Sequence, residues 1–213
     1  MNSTRICIIR HGETDWNSQR RYQGQIDIAL NASGEMQAHA LRPALAGQSF
    51  AAIYASDLQR AWRTAQIAFG GLADAVLPAP TFRERHYGVF QGLTVPEAHI
   101  AHPEAHRHYL ARTLDYNFES GETLTNFAAR VMSGFGELTG QHPGQTIALV
   151  THGGVLDVIH RIASGRDLSG PRDFSIPNAG INWLRCSDGL WQIDVWGEQA
   201  HLQQLEALDE LAR

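Results

Sequence analysis

Two short apolar runs far apart in the chain constrain its fold more than any other feature. Ile6-Cys7-Ile8-Ile9 has no polar residue and exits into Arg10-His11-Gly12-Glu13-Thr14. Thr146-Ile147-Ala148-Leu149-Val150 has the same character and exits into Thr151-His152-Gly153-Gly154, where a helical pattern begins. Runs of this kind are the mark of strands buried on both faces, and such strands need helices on both sides of a parallel sheet. In open α/β sheets, ligand sites collect outside the carboxyl ends of the strands. Both histidines are therefore expected in one crevice. The glycine after each lets a ligand approach the backbone, and the helix starting near Gly154 offers free N–H groups to an anion.

The rest of the chain alternates in the same sense. Asn31 can cap a helix running to about residue 46, which Pro43 should kink or end early. Ala52-Ile53-Tyr54-Ala55 reads as a strand, and Ser56 as the cap of a helix over 57–69. Residues 76–82 make a weaker strand, confined by Pro78 and Pro80 to an edge. Thr94-Val95-Pro96-Glu97 has capping-box spacing, and a further helix spans about 123–138. Residues 181–186 and 191–196 predict a hairpin turning at Ser187-Asp188-Gly189. Leu202, Leu205, Leu208 and Leu211 mark a short amphipathic helix, which would pack on its own domain or serve a homodimer. No repeat or linker interrupts this order. We expect one domain over 1–213, built as three α/β/α layers around a mostly parallel sheet, with a small helical cap inserted at about 88–121.

Composition then removes whole reaction classes. All 17 basic residues are arginine, so there is no lysine for a Walker-type phosphate loop, a Schiff base or an amine general base. A net charge of −5 without a basic run argues against nucleic acid as the main partner. Cys7 and Cys186 form no CxxC pair, and no apolar run reaches the length of a membrane span or a signal-peptide core. The expected protein is soluble and cytoplasmic, has no membrane partner, and carries no thiolate metal site.

Three further positions carry chemistry in principle. Arg60 sits on the first turn of the helix after the second strand, where its guanidinium could fork onto phosphate oxygens; otherwise it is a solvated helix residue. Glu84, in Phe82-Arg83-Glu84-Arg85-His86-Tyr87-Gly88, could act as a general acid, or simply pair with Arg83 or Arg85. His99, His102, His106 and His108 include an i, i+4 pair suited to zinc, but Pro103 interrupts that helix and a solvated cap segment is the plainer account.

Taken in order, Arg10-His11-Gly12-Glu13-Thr14, Asn17, Gln23-Gly24, Ser56 to Thr64, Glu84 to Gly92 and Thr151-His152-Gly153 resemble the histidine phosphatase superfamily. That group contains the cofactor-dependent phosphoglycerate mutases and their phosphatase relatives. The stretch from Asn178 to Leu202 resembles its closing hairpin, so the likeness covers nearly the whole chain. It implies that His11 attacks a phosphoryl group to form a phosphohistidine, which water then cleaves. Arg10, Arg60 and His152 would stabilise the transferring group, and Glu84 would protonate the leaving oxygen and later activate water. Asn17, Thr14, Gln23, Gly24, Tyr87 and Gly153 would contact substrate. No metal or other cofactor is expected, because arginines do the charge work.

The branch is argued from two departures. The mutases carry a lysine soon after the glycine-leucine pair, where this chain has Val95 or a neighbour, and a longer insertion with paired arginines. Ser120-Gly121-Glu122-Thr123 instead resembles the phosphatase branch. The expected function is a metal-independent phosphatase acting on a small phosphorylated metabolite. A cofactor-dependent mutase is the alternative, and a non-catalytic phosphate-binding or interaction module is a third reading.

Overall fold

The computed structural model describes residues 3–187 and 189–203. Strand β1 (Thr4–Arg10) leads to a short helix α1 (Asp15–Ser18), then to α2 (Ala32–Leu45), β2 (Ala52–Ala55), α3 (Gln59–Phe69) and β3 (Val76–Pro78). The cap follows with α4 (Val95–Ala101) and α5 (Pro103–Leu110); then come α6 (Leu124–Gln141), β4 (Thr146–Thr151), α7 (Gly153–Ala163), β5 (Ile181–Ser187) and β6 (Leu190–Glu198). The six strands form one sheet in the order β3-β2-β4-β1-β5-β6. β3, β2, β4 and β1 run parallel, and the β5–β6 hairpin joins antiparallel along β1.

Strand pleating sorts the apolar run of β1 into two layers. Ile6 and Ile8 join Ile147 and Leu149 of β4 in a core covered by α6 and α7. Cys7 and Ile9 join Ala148 and Val150 in a second core covered by α2 and α3. Three layers result because β1 and β4 present apolar side chains to both faces. The cap has its own small cluster, in which Tyr22, Phe90, Ala98, Ala105 and Phe118 are buried together.

Some local expectations are corrected. Pro43 lies inside α2, which continues to Leu45, because a proline in the last turn removes a single hydrogen bond. Ser56 does not cap α3. The helix starts after Leu58, and the open N–H of Gln59 is met by Asp27 Oδ1 from the preceding loop at 2.7 Å. The edge strand stops at Pro78, and residues 80–82 form a 3-10 turn. Pro103 separates α4 from α5, as the sequence predicts. Leu202 closes a 3-10 turn and is buried, whereas Leu205, Leu208 and Leu211 lie outside the described residues. Among the described residues no helix is long and apolar enough to cross a membrane.

Candidate active site

β1 and β4 are neighbours in register, Arg10 opposite Thr151, so the residues that follow them emerge side by side. The backbone N–H of His11 donates to Thr151 O at 2.9 Å, and the rings of His11 and His152 stand 5.2 Å apart between centroids. Both are buried. His11 Nδ1 lies 2.7 Å from Gly12 O. A carbonyl can only accept, so Nδ1 carries a proton, and in the neutral ring the lone pair is on Nε2. The sequence places a histidine here; the backbone selects its tautomer.

Arg10, His11, Asn17, Gln23, Gly24, Arg60, Glu84 and Tyr87 line one small cavity of about 20 Å³. Arg60 is fully buried and is held by the loop before it, donating from Nη1 to Ile26 O (2.9 Å) and from Nη2 to Gly24 O (2.7 Å). Burial lowers its pKa to about 10, against the pull of Glu84 and Asp27, and it stays charged at neutral pH. Gly24 is favoured by its backbone, with φ +54°, and a Cβ there would also displace the Gln91 side-chain amide. Glu84 is held by the start of α7. Its Oε2 accepts from Gly154 N at 2.9 Å and its Oε1 from Arg85 N at 2.7 Å. The helix N-terminus thus meets the carboxylate through Gly154.

Asn17 shows how an amide is aimed. Its Oδ1 accepts from Thr14 N (3.1 Å) and from the Thr14 hydroxyl (3.0 Å). With that oxygen bonded, Nδ2 is the end left to face the cavity. Thr14, expected at the substrate, is instead the cap of α1, and its hydroxyl accepts from Asn17 N at 3.1 Å. Thr14, His152 and Gly153 are not among the residues that line this cavity, although the His152 ring packs against that of His11, which does. His152 donates to or accepts from Ser56 Oγ through Nε2 at 2.8 Å. Burial, reinforced by Arg60, His11 and Arg10, pushes its pKa well below the usual histidine range, so it is neutral.

Sequence reasoning missed the segment before β5. Ile176 O accepts from Arg10 Nη1 at 2.6 Å, Asn178 Nδ2 donates to His11 O at 3.0 Å, and Ala179 N donates to Arg10 O at 3.1 Å. Ala179 adopts φ +53°, a left-handed conformation that orients this N–H. The strand end that carries His11 is therefore braced by residues near the other end of the chain.

The model of the histidine phosphatase superfamily (branch 1) matches residues 6–199. The chain belongs to that superfamily. This histidine phosphatase-superfamily protein is 36% identical over 205 residues to phosphoglycerate mutase-like protein 4 of Arabidopsis thaliana, covering 93% of this chain and 87% of that one. It is 35% identical to the metal-independent phosphoserine phosphatase of the same plant, covering 95% and 84%. Among solved structures, Bacillus stearothermophilus YhfR superposes with a TM-score of 0.85 at 30% identity, covering 93% of this chain and 98% of that one.

Beside this small cavity lies a larger one of about 260 Å³. Tyr87 lines both, and Gly154, the Glu84 partner, lines the larger. Arg85, Arg112 and Arg172 face it together with Tyr109, Phe118 and Asp157. Asp157 is already bridged by Arg112 (2.5 Å) and Arg161 (3.0 Å). Arg85 is buried and donates to the backbone carbonyls of Glu122 (3.0 Å) and Tyr116 (3.2 Å). In the cap, His99 and His106 meet through their Nδ1 atoms at 3.2 Å, His102 pairs with Glu119, and His108 stacks on Tyr116. Among the described residues no group of three or more His, Cys, Asp or Glu side chains converges to hold a metal.

Proposed function

We propose that this protein is a metal-independent phosphatase that hydrolyses small phosphomonoesters through a phosphohistidine on His11. One observation carries the reading. His11, with its lone pair on Nε2, and Glu84, anchored at a helix start, face the same small cavity between Arg10 and Arg60. In-line transfer needs a nucleophile, positive charge over the equatorial oxygens and a proton donor on the leaving side, and these residues supply all three. His11 Nε2 attacks phosphorus as the ester oxygen departs with a proton from Glu84. The Glu84 carboxylate then takes a proton from water, and that water displaces His11.

The larger cavity supports the substrate class. It shares Tyr87 with the smaller cavity and is lined by Gly154, whose N–H holds Glu84, so we assign it to the leaving group. Of its three arginines, Arg112 already pairs with Asp157, which Arg161 also bridges, so Arg85 and Arg172 add positive charge to the wall beyond that pair. A leaving group with its own anion, such as a carboxylate, fits that wall. O-phosphoserine is the first ester to try, since a relative's name carries that activity.

The test is phosphate release over a panel of O-phosphoserine, 3-phosphoglycerate, glycerol 3-phosphate and p-nitrophenyl phosphate, with and without chelator. Hydrolysis that survives chelation supports the reading. Efficient isomerisation of 3-phosphoglycerate when 2,3-bisphosphoglycerate is supplied would replace it with mutase transfer. Binding of inorganic phosphate without turnover of any ester would leave a non-catalytic phosphate-binding module.

A further inference from the structure

Ser56 has no role in the chemistry outlined above and does not cap the helix that follows it. Its side chain is fully buried, and its backbone N–H donates to Val150 O at 2.9 Å, extending the β2–β4 ladder. That bond fixes the hydroxyl two residues upstream of His152, where Oγ lies 2.8 Å from His152 Nε2. The hydroxyl oxygen also meets the N–H of Leu58 at 3.4 Å. Donor and acceptor requirements then decide where the protons are. Among the described residues the serine hydrogen has one acceptor at hydrogen-bond distance, Nε2, so Nε2 must hold a lone pair. In the other arrangement Nε2–H would donate to Oγ, and the serine hydrogen would be buried without an acceptor, which is unfavourable.

We propose that Ser56 is a positioning residue that sets the tautomer of His152, so that Nδ1–H is the donor presented to the transferring phosphoryl group. His152 Nδ1 is buried and makes no hydrogen bond to any described residue, as a donor reserved for a phosphoryl oxygen would. The ring is hemmed in by His11 and lies near Arg60 and Arg10. The two histidines thus carry their protons on the same atom and use opposite nitrogens: His11 attacks with Nε2, and His152 donates with Nδ1. The inference rests on the phosphatase reading for its catalytic consequence, but the tautomer itself does not.

The experiment uses the full chain labelled with ¹⁵N and long-range proton–nitrogen correlation of the histidine rings, with His152→Gln assigning the signals. His152 should show an acceptor-type shift at Nε2 and a protonated Nδ1, and inorganic phosphate should perturb the Nδ1 proton. Ser56→Ala should move His152 toward the Nε2–H form and lower kcat about tenfold, with KM nearly unchanged. Ser56→Thr, which keeps the hydroxyl, should restore both. An Nε2–H tautomer in the unmodified protein overturns the proposal. So does Ser56→Ala with an unaltered ring signature, or a Ser56→Thr variant impaired as much as Ser56→Ala. Because the spectra need no turnover, a protein that cleaves no ester defeats the phosphatase reading and leaves the tautomer to be decided on its own.

Discussion

Adding one methyl group at Gly154 tests the link between helix α7 and the proposed acid. A Cβ built there falls on Glu84 Oε1 and sits 3.1 Å from Cδ of the same carboxyl and 3.3 Å from Phe127 Cε1. Carbon contacts relax at about 3.5–4.0 Å, so the carboxyl must recede by about 1 Å. That movement strains the bonds from Gly154 N and Arg85 N, each worth about 1.5–3 kcal/mol to a charged acceptor. The gain in helix propensity from glycine to alanine offsets at most about 1 kcal/mol. Gly154→Ala should therefore lower unfolding stability by about 1–2 kcal/mol in a denaturant titration. Its larger effect is on chemistry, where a 1 Å misplacement costs about 100-fold. The loss should depend on the leaving group. On O-phosphoserine or another alkyl ester, whose departing oxygen needs a proton, kcat/KM should fall about 100-fold. On p-nitrophenyl phosphate, whose leaving group departs as the anion, it should fall less than about tenfold. Equal losses on both esters, or none on either, would refute the argument that Gly154 keeps the acid in place.

Three further outcomes follow from the same geometry. His11→Ala should abolish phosphate release while leaving stability near that of the parent, and chelator should leave the parent's rate unchanged; full activity in the variant would defeat the phosphohistidine mechanism. Asn178→Asp sets a carboxylate oxygen against His11 O and Asn17 Oδ1, and kcat should drop on the order of 10–100-fold, which steady-state kinetics would read directly. His160, stacked on Phe174 at 3.6 Å, has its pKa lowered to about 4 by burial and by Arg166. A folded pKa below the unfolded value near 6.5 gives stability that is complete above about pH 6.5 and lost as pH falls toward 4. Thermal melts of His160→Gln between pH 7 and 5 should therefore slope less steeply than the parent's, by about 1–2 kcal/mol over the window.

The sheet was legible because β1 and β4 are apolar on both faces, a pattern that few other arrangements accept. Their histidines were legible for the same reason, since neighbouring parallel strands end at one edge. Arg60 and Glu84 could be named because they follow strands in the sequence and so rise from the same edge of the sheet. What stayed hidden depends on three-dimensional partners. Ser56 has the composition of a helix cap, yet Asp27 fills that place from a distant loop and frees the hydroxyl for His152. Thr14 sits inside a substrate-contact motif, but the local turn claims its hydroxyl first. Asn178 opens the stretch that resembles the closing hairpin, but its role is a contact with His11 that no spacing rule encodes.

The brace at residues 176–180 ties the order of chain synthesis to the onset of activity. Residue 11 leaves the ribosome early, but the carbonyl that holds Arg10 and the amide that holds His11 belong to residues made much later. Pairings so distant in sequence form late, because closing the intervening loop must precede them. A nascent or truncated chain ending before residue 176 would carry both histidines and both site arginines, yet lack the acceptor that orients one of those arginines. Such a fragment should hold an unset nucleophile, so activity appears only when the last hairpin docks along β1.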